Sequence, residues 1–110
     1  MQISTRRHDT ATIFDVSGDI DFANSPEMRQ SVLREIRKSR TARVIVNLRQ
    51  VRYIDSSGVA SLIEGLKASR DLGSRFILIG LSASAGEVLR LSRLIKAFEI
   101  YDNEEQALAA

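Results

Sequence analysis

Two groups of residues carry side chains able to do chemistry. Asp55, Ser56, Ser57 and Gly58 stand where the apolar run 51-VRYI-54 gives way to a helical pattern. Asp19 and Asp21 lie in 18-GDID-21, again just past an apolar run. Serine beside aspartate suggests nucleophilic catalysis, but a serine nucleophile needs a base within reach. The one histidine, His8, sits near the N-terminus on what reads as an edge segment. The chain has no cysteine, no Gly-x-Ser-x-Gly, no Gly-x-x-x-x-Gly-Lys-Ser/Thr phosphate loop and no dinucleotide fingerprint. Three carboxylates, Asp19, Asp21 and Asp55, form the donor set for a Mg²⁺-dependent enzyme; against that, loop acids more often cap helices or face solvent. The remaining chemistry is acceptance of a phosphate. Two serines at the start of a helix suit it, because the helix N-terminus tolerates negative charge. Asp and Ser also cap helices, and capping alone accounts for one of these residues.

The elements around these residues follow from periodicity. The runs 11-ATIFDVSG-18, 43-RVIVNL-48 and 76-FILIGL-81 read as strands, with 98-FEIY-101 a weaker fourth. Near-continuous β-branched runs suit strands covered on both faces. The opening 2-QISTRR-7 adds an edge strand, antiparallel to the next through a turn at His8 to Thr10. Between them lie helical patterns. Asn24-Ser25-Pro26-Glu27 is a start signal with a capping hydroxyl, followed by Met28, Val32, Leu33 and Ile36 on one face. Val59, Leu62, Ile63 and Leu66 repeat the spacing up to a stop at Gly73, which leaves Ser61 and Glu64 on the outer face. Ser84 to Glu87 reads as a capping box, and Asp102 to Glu105 as a second one before a short tail helix.

Strands alternating with helices argue for an α/β fold: a mainly parallel sheet of four or five strands, about four helices, and an antiparallel first strand. Residues 1–110 are expected to form one domain. Apolar residues make up 44% of the chain and charged residues 27%, the composition of a globular protein that can build its own core. The net charge is only +2, with the signs interleaved and no basic stripe among aromatics, so nucleic acid is not an expected partner. No stretch is long and apolar enough for membrane insertion, and a cytoplasmic location is expected.

In open parallel sheets, sites form beyond the carboxyl ends of the strands. The connections 18-GDIDFANS-25, 53-YIDSSG-58 and 80-GLSAS-84 fall on that edge, so the two chemical groups should meet there.

The whole chain, in order, resembles the STAS domain family, and within it the anti-sigma factor antagonists. The carrying residues are 18-GDID-21, 44-VIVNL-48, 51-VRYIDSSGVASL-62, 71-DLGSRFILIGLS-82 and the tail 84-SAGEVLRLSRLIKAFEIYDNEEQAL-108. D-S-S-G is the most specific of these motifs. With no cysteine, no base near Ser56 and no phosphate loop, the chain is expected not to be an enzyme and to need no cofactor or metal. The resemblance implies a small α/β sandwich. It implies phosphorylation of Ser56 by an anti-sigma factor that is also a serine kinase, and reversal by a phosphatase. The unphosphorylated form would bind the anti-sigma factor and release sigma. The resemblance further implies Ser57 as the adjacent helix-start residue, Asp55 as its acidic neighbour and Asp21 as the loop acid facing the same site. The partner surface expected on this edge comprises Asp19, Asp21, Asp55, Ser57 and Gly58, with Ser61 and Glu64 on the outer face of the following helix. One departure from the family pattern is Gly58-Val59-Ala60 where many antagonists have Gly-Leu-Gly. It brings the chain toward the alternative reading, a STAS regulatory subunit of an ABC-type lipid transporter.

Overall fold

A computed structural model describes residues 1–110. Its strands are β1 (Gln2–His8), β2 (Ala11–Ile20), β3 (Arg43–Ile54), β4 (Arg75–Ile79) and β5 (Glu99–Tyr101). Its helices are α1 (Ser25–Ser39), α2 (Ser56–Asp71), α3 (Ala83–Leu91) and α4 (Glu104–Ala109), with a 3-10 turn at Ile95–Ala97. The strands lie side by side in chain order. β1 runs antiparallel to β2, and every later pair is parallel. The α/β sandwich with an antiparallel first strand is therefore the architecture seen.

Two apolar layers follow from the period-2 alternation of the strands. On the front face Phe14, Val16, Val44, Val46, Leu48 and Leu78 meet α1, α2 and α3. Met28, Val32 and Ile36 of α1, Val59 and Leu62 of α2, and Ala85 and Leu89 of α3 complete a core of eighteen buried residues. On the back face Ala11, Ile13, Ile45, Ile77 and Ile79 lie beneath α4, which contributes Ala107. Polar groups of α4 and of the residues on either side of it are also tied to the sheet. Arg6 pairs with Glu104, Arg43 donates to the Ala110 carbonyl, and Arg49 donates to the Asp102 carbonyl at 3.1 Å. Arg6 also holds Asp15 on β2 at 2.6 Å.

The strands bearing the site are longer than the sequence pattern suggested. β2 continues to Ile20 and β3 to Ile54, past register shifts at Asp15/Ser17 and Gly18/Asp19. Both extensions end on buried isoleucines that close the front core, so the two loops start level with each other.

Three helix starts also differ. The expected capping hydroxyl, Ser25, is itself the first residue of α1 and points back to the Phe22 carbonyl; Asn24 at the cap position makes no side-chain cap bond, and Asp21 accepts from the Asn24 N–H at 3.1 Å. The α3 cap is Ser82, which accepts from Ala85 N–H, because the Ser84 hydroxyl is turned to the Arg52 carbonyl at 2.7 Å. The α4 cap is Asn103 rather than Asp102, and Gln106 returns a bond to the Asp102 N–H.

Candidate functional site

The site is built where β2 and β3 end. Asp19 is in register with Tyr53 and Ile20 with Ile54, so the chain leaves the sheet at the same level twice. After β2 it forms the tight loop 21–24 into α1; after β3 it enters α2 at once. The Asp55 N–H donates to the Ile20 carbonyl at 3.2 Å and extends the pairing by one residue.

Asp55 does two jobs. One carboxylate oxygen accepts from Gly58 N–H at 3.0 Å and caps α2; the other accepts from Phe22 N–H at 3.0 Å. One side chain thus holds the start of a helix and the neighbouring loop. With Asp55 as the cap, neither serine hydroxyl is used for that purpose. Ser56 is the first residue of α2 and is exposed, while Ser57 is half-buried.

The loop beside it is equally fixed. Asp21 accepts from Asn24 N–H through both its side chain and its carbonyl, and its carbonyl also takes Ser25 N–H at 2.8 Å. The Asn24 amide donates to the Asp19 carbonyl at 3.1 Å. Asp19, Asp21, Asp55, Ser56 and Ser57 therefore gather at one edge, as the order of elements required. No group of three or more His, Cys, Asp or Glu side chains is arranged to hold a metal ion. Both oxygens of Asp55 and one of Asp21 are already engaged by backbone N–H groups.

Two residues of the expected partner surface are placed otherwise. Ser61 is buried, 5% exposed, and its hydroxyl donates to the carbonyls of Ser25 at 3.1 Å and Ser57 at 3.2 Å. The reason is that α1 packs on the flank of α2 and widens its buried face beyond the stripe that meets the sheet. Gly58 is buried as well. A Cβ there would stand 2.5 Å from the Ile20 carbonyl oxygen and 2.5 Å from Ile54 Cγ1, so its absence lets α2 start against the sheet. Glu64 is exposed as expected. It lies between two shallow grooves. One is lined by Ser56, Val59, Ala60, Ile63 and Leu94, the other by Ser25, Pro26, Arg29, Ser57 and Ala60.

Residues 2–107 match the family model described as STAS domain. This chain belongs to the STAS domain family. The STAS domain is 26% identical over 108 residues to the anti-sigma F factor antagonist of Paenibacillus polymyxa, covering 98% of this chain and 92% of that protein. Its fold is that of an anti-sigma factor antagonist from Mycobacterium paratuberculosis, with a TM-score of 0.88 at 21% identity over 98% of this chain and 91% of the other. It also matches the antagonist SpoIIAA of Bacillus, solved unphosphorylated (TM-score 0.75, 16% identity, 98% and 94% covered) and phosphorylated (0.74, 19%, 98% and 97%).

One residue of this STAS domain's edge escaped the sequence reading. Phe22 is 81% exposed, directly beside Asp55 through its backbone. The signal was available: a lone aromatic among Asp, Ala, Asn and Ser in 21-DFANS-25, where turn residues are expected.

Proposed function

We propose that this STAS domain is an anti-sigma factor antagonist of the cytoplasm, a binding protein without catalysis of its own, switched by phosphorylation of Ser56. The unmodified form binds an anti-sigma factor that is also its serine kinase, and so releases sigma. A phosphatase restores the bound-competent form. The observation that carries this reading is the division of labour at the start of α2. Asp55 caps the helix, which leaves the adjacent Ser56 exposed on a rigid helix N-terminus. A phosphate there adds about −1.5 to −2 charge where the fold tolerates it. A partner seated on the same edge meets both that charge and the carboxylates of Asp19, Asp21 and Asp55.

The whole-length relatives support the antagonist over the transporter-subunit alternative, since the Paenibacillus protein is named an anti-sigma F factor antagonist. That SpoIIAA has been solved in both phosphorylation states supports a fold unharmed by the modification.

The test is a titration of three forms, unmodified, Ser56→Ala and phosphorylated, against the anti-sigma factor of the same organism. Unmodified and Ser56→Ala protein should bind alike, and the phosphoprotein about a hundredfold more weakly, which needs only about 2.7 kcal/mol. Phosphate mapped to Ser57, or equal affinity for all three forms, would end the proposal.

A further inference from the structure

Phe22 is the one phenylalanine of four that the fold leaves outside. Phe14, Phe76 and Phe98 lie in the front core, whereas Phe22 is 81% exposed on the β2–α1 loop. An aromatic ring in water gains nothing for the fold. Nor is its loop slack. The Phe22 N–H is held by Asp55, and the residues after it are bound through Asp21, Asn24 and the Ser61–Ser25 bond. The ring is thus presented from a fixed base, and binding through it loses little backbone freedom.

We infer that Phe22 is the anchor of the partner interface, a side chain taken into an apolar pocket on the protein that reads Ser56. The inference rests on the proposed antagonist function and adds to it a residue and a pocket chemistry. Three observations carry it. First, the same carboxylate fixes Phe22 and the start of the helix bearing Ser56, so a partner touching one is within reach of the other. Second, interface energy concentrates in a few rigid aromatic or arginine side chains surrounded by neutral contacts. Tyr53, half exposed and in register with Asp19, is the second aromatic at this end of the sheet. Third, Phe22 follows Asp19 and Asp21 in the chain and its backbone is fixed by Asp55, three carboxylates. That charge disfavours an anionic lipid surface and points to a protein.

The experiment uses the full chain and the purified anti-sigma factor kinase of the same organism. Phe22→Ala should weaken binding of unmodified protein by about tenfold or more, and Phe22→Leu should retain part of it. Phosphorylation of Phe22→Ala should show a raised KM with kcat little changed, and its melting temperature should match the parent's. A merely structural role would not separate these readouts.

Ser56→Asp tests the underlying function independently. If Ser56→Asp loses binding while Phe22→Ala binds like the parent, the anchor is wrong and the switch stands. If unmodified protein does not bind the kinase at all, both fall. Sedimentation with phosphatidylserine vesicles covers the remaining occupant. Vesicle binding abolished by Phe22→Ala, without an effect on the kinase, would assign the ring to a membrane and overturn the proposal.

Discussion

The carboxylate of Asp55 accepts the backbone N–H of Phe22 across 33 positions of chain, while its second oxygen caps the helix that Asp55 itself precedes. Asp55→Ala removes both bonds and leaves two N–H groups to find water. A lost cap costs about 0.5–2 kcal/mol, and a hydrogen bond to a charged group contributes about 1.5–3. We expect a loss of about 2–3 kcal/mol in urea denaturation. Asp55→Asn keeps one acceptor and should lose about half as much.

Gly58 and Gly86 should respond to alanine with opposite signs. Gly58→Ala places a methyl 2.5 Å from a backbone oxygen that cannot move aside, and overpacking of this kind costs about 1–3 kcal/mol. At Gly86, in α3, the nearest atom to an added Cβ is the end of the flexible Arg90 side chain at 3.5 Å. There the gain in helix propensity, up to about 1 kcal/mol, is unopposed. Thermal unfolding of the two variants should bracket the parent. Gly86→Ala below the parent, or Gly58→Ala above it, would contradict the packing described.

The Arg6 cluster makes stability depend on acid and salt. Hydrogen bonds from Arg6 hold the carboxyls of Asp15 and Glu104 below their ordinary values, and Asn47 adds a bond to Asp15. A lowered folded-state value means that the folded chain binds fewer protons than the unfolded one. The contribution is therefore complete above the ordinary carboxylate range, near pH ~4, and is lost as pH falls through the lowered values. All three groups are partly exposed, so we expect only about 0.5–1 kcal/mol for the cluster at low salt. Arg6→Gln should be less stable than the parent at pH 7, with the difference closing toward pH 2 and in 1 M salt. A difference constant across pH would refute this account.

Glu64 tests the outer ridge of α2. It is exposed between the two grooves, so Glu64→Lys should leave stability within about ±0.5 kcal/mol. Binding to the anti-sigma factor should weaken several-fold in calorimetric titration. Full affinity would confine the interface to the loop edge around Phe22 and Ser56.

The alternation of elements was legible because each strand is a dense apolar run and each helix repeats its apolar positions every three or four residues. D-S-S-G was legible as a strand-to-helix connection for the same reason. What escaped depends on contacts between elements. Ser61 was expected outside because its spacing opposes Leu62 and Leu66; only the docking of α1 beside α2 buries it. The α3 cap lies two residues before the serine that the pattern predicts, because Ser82 and Ser84 are equally good caps by type and the Arg52 carbonyl decides between them. Local pattern said nothing of the second bond of Asp55, because its donor is far away in sequence.

The β1–β2 hairpin closes through a two-residue turn, whereas β2 and β3 meet only after α1 has been laid across the sheet between them. Hairpins form in about 1–10 μs, and parallel pairs that need a crossover form later. The site straddles this later junction, since Phe22 follows β2 and Asp55 follows β3. A nascent or half-folded chain carries Asp55, Ser56, Ser57 and Gly58 in order, yet has no capped helix end and no fixed loop beside it. The surface a partner can read therefore exists only once this crossover is in place, and the linear motif alone does not supply it.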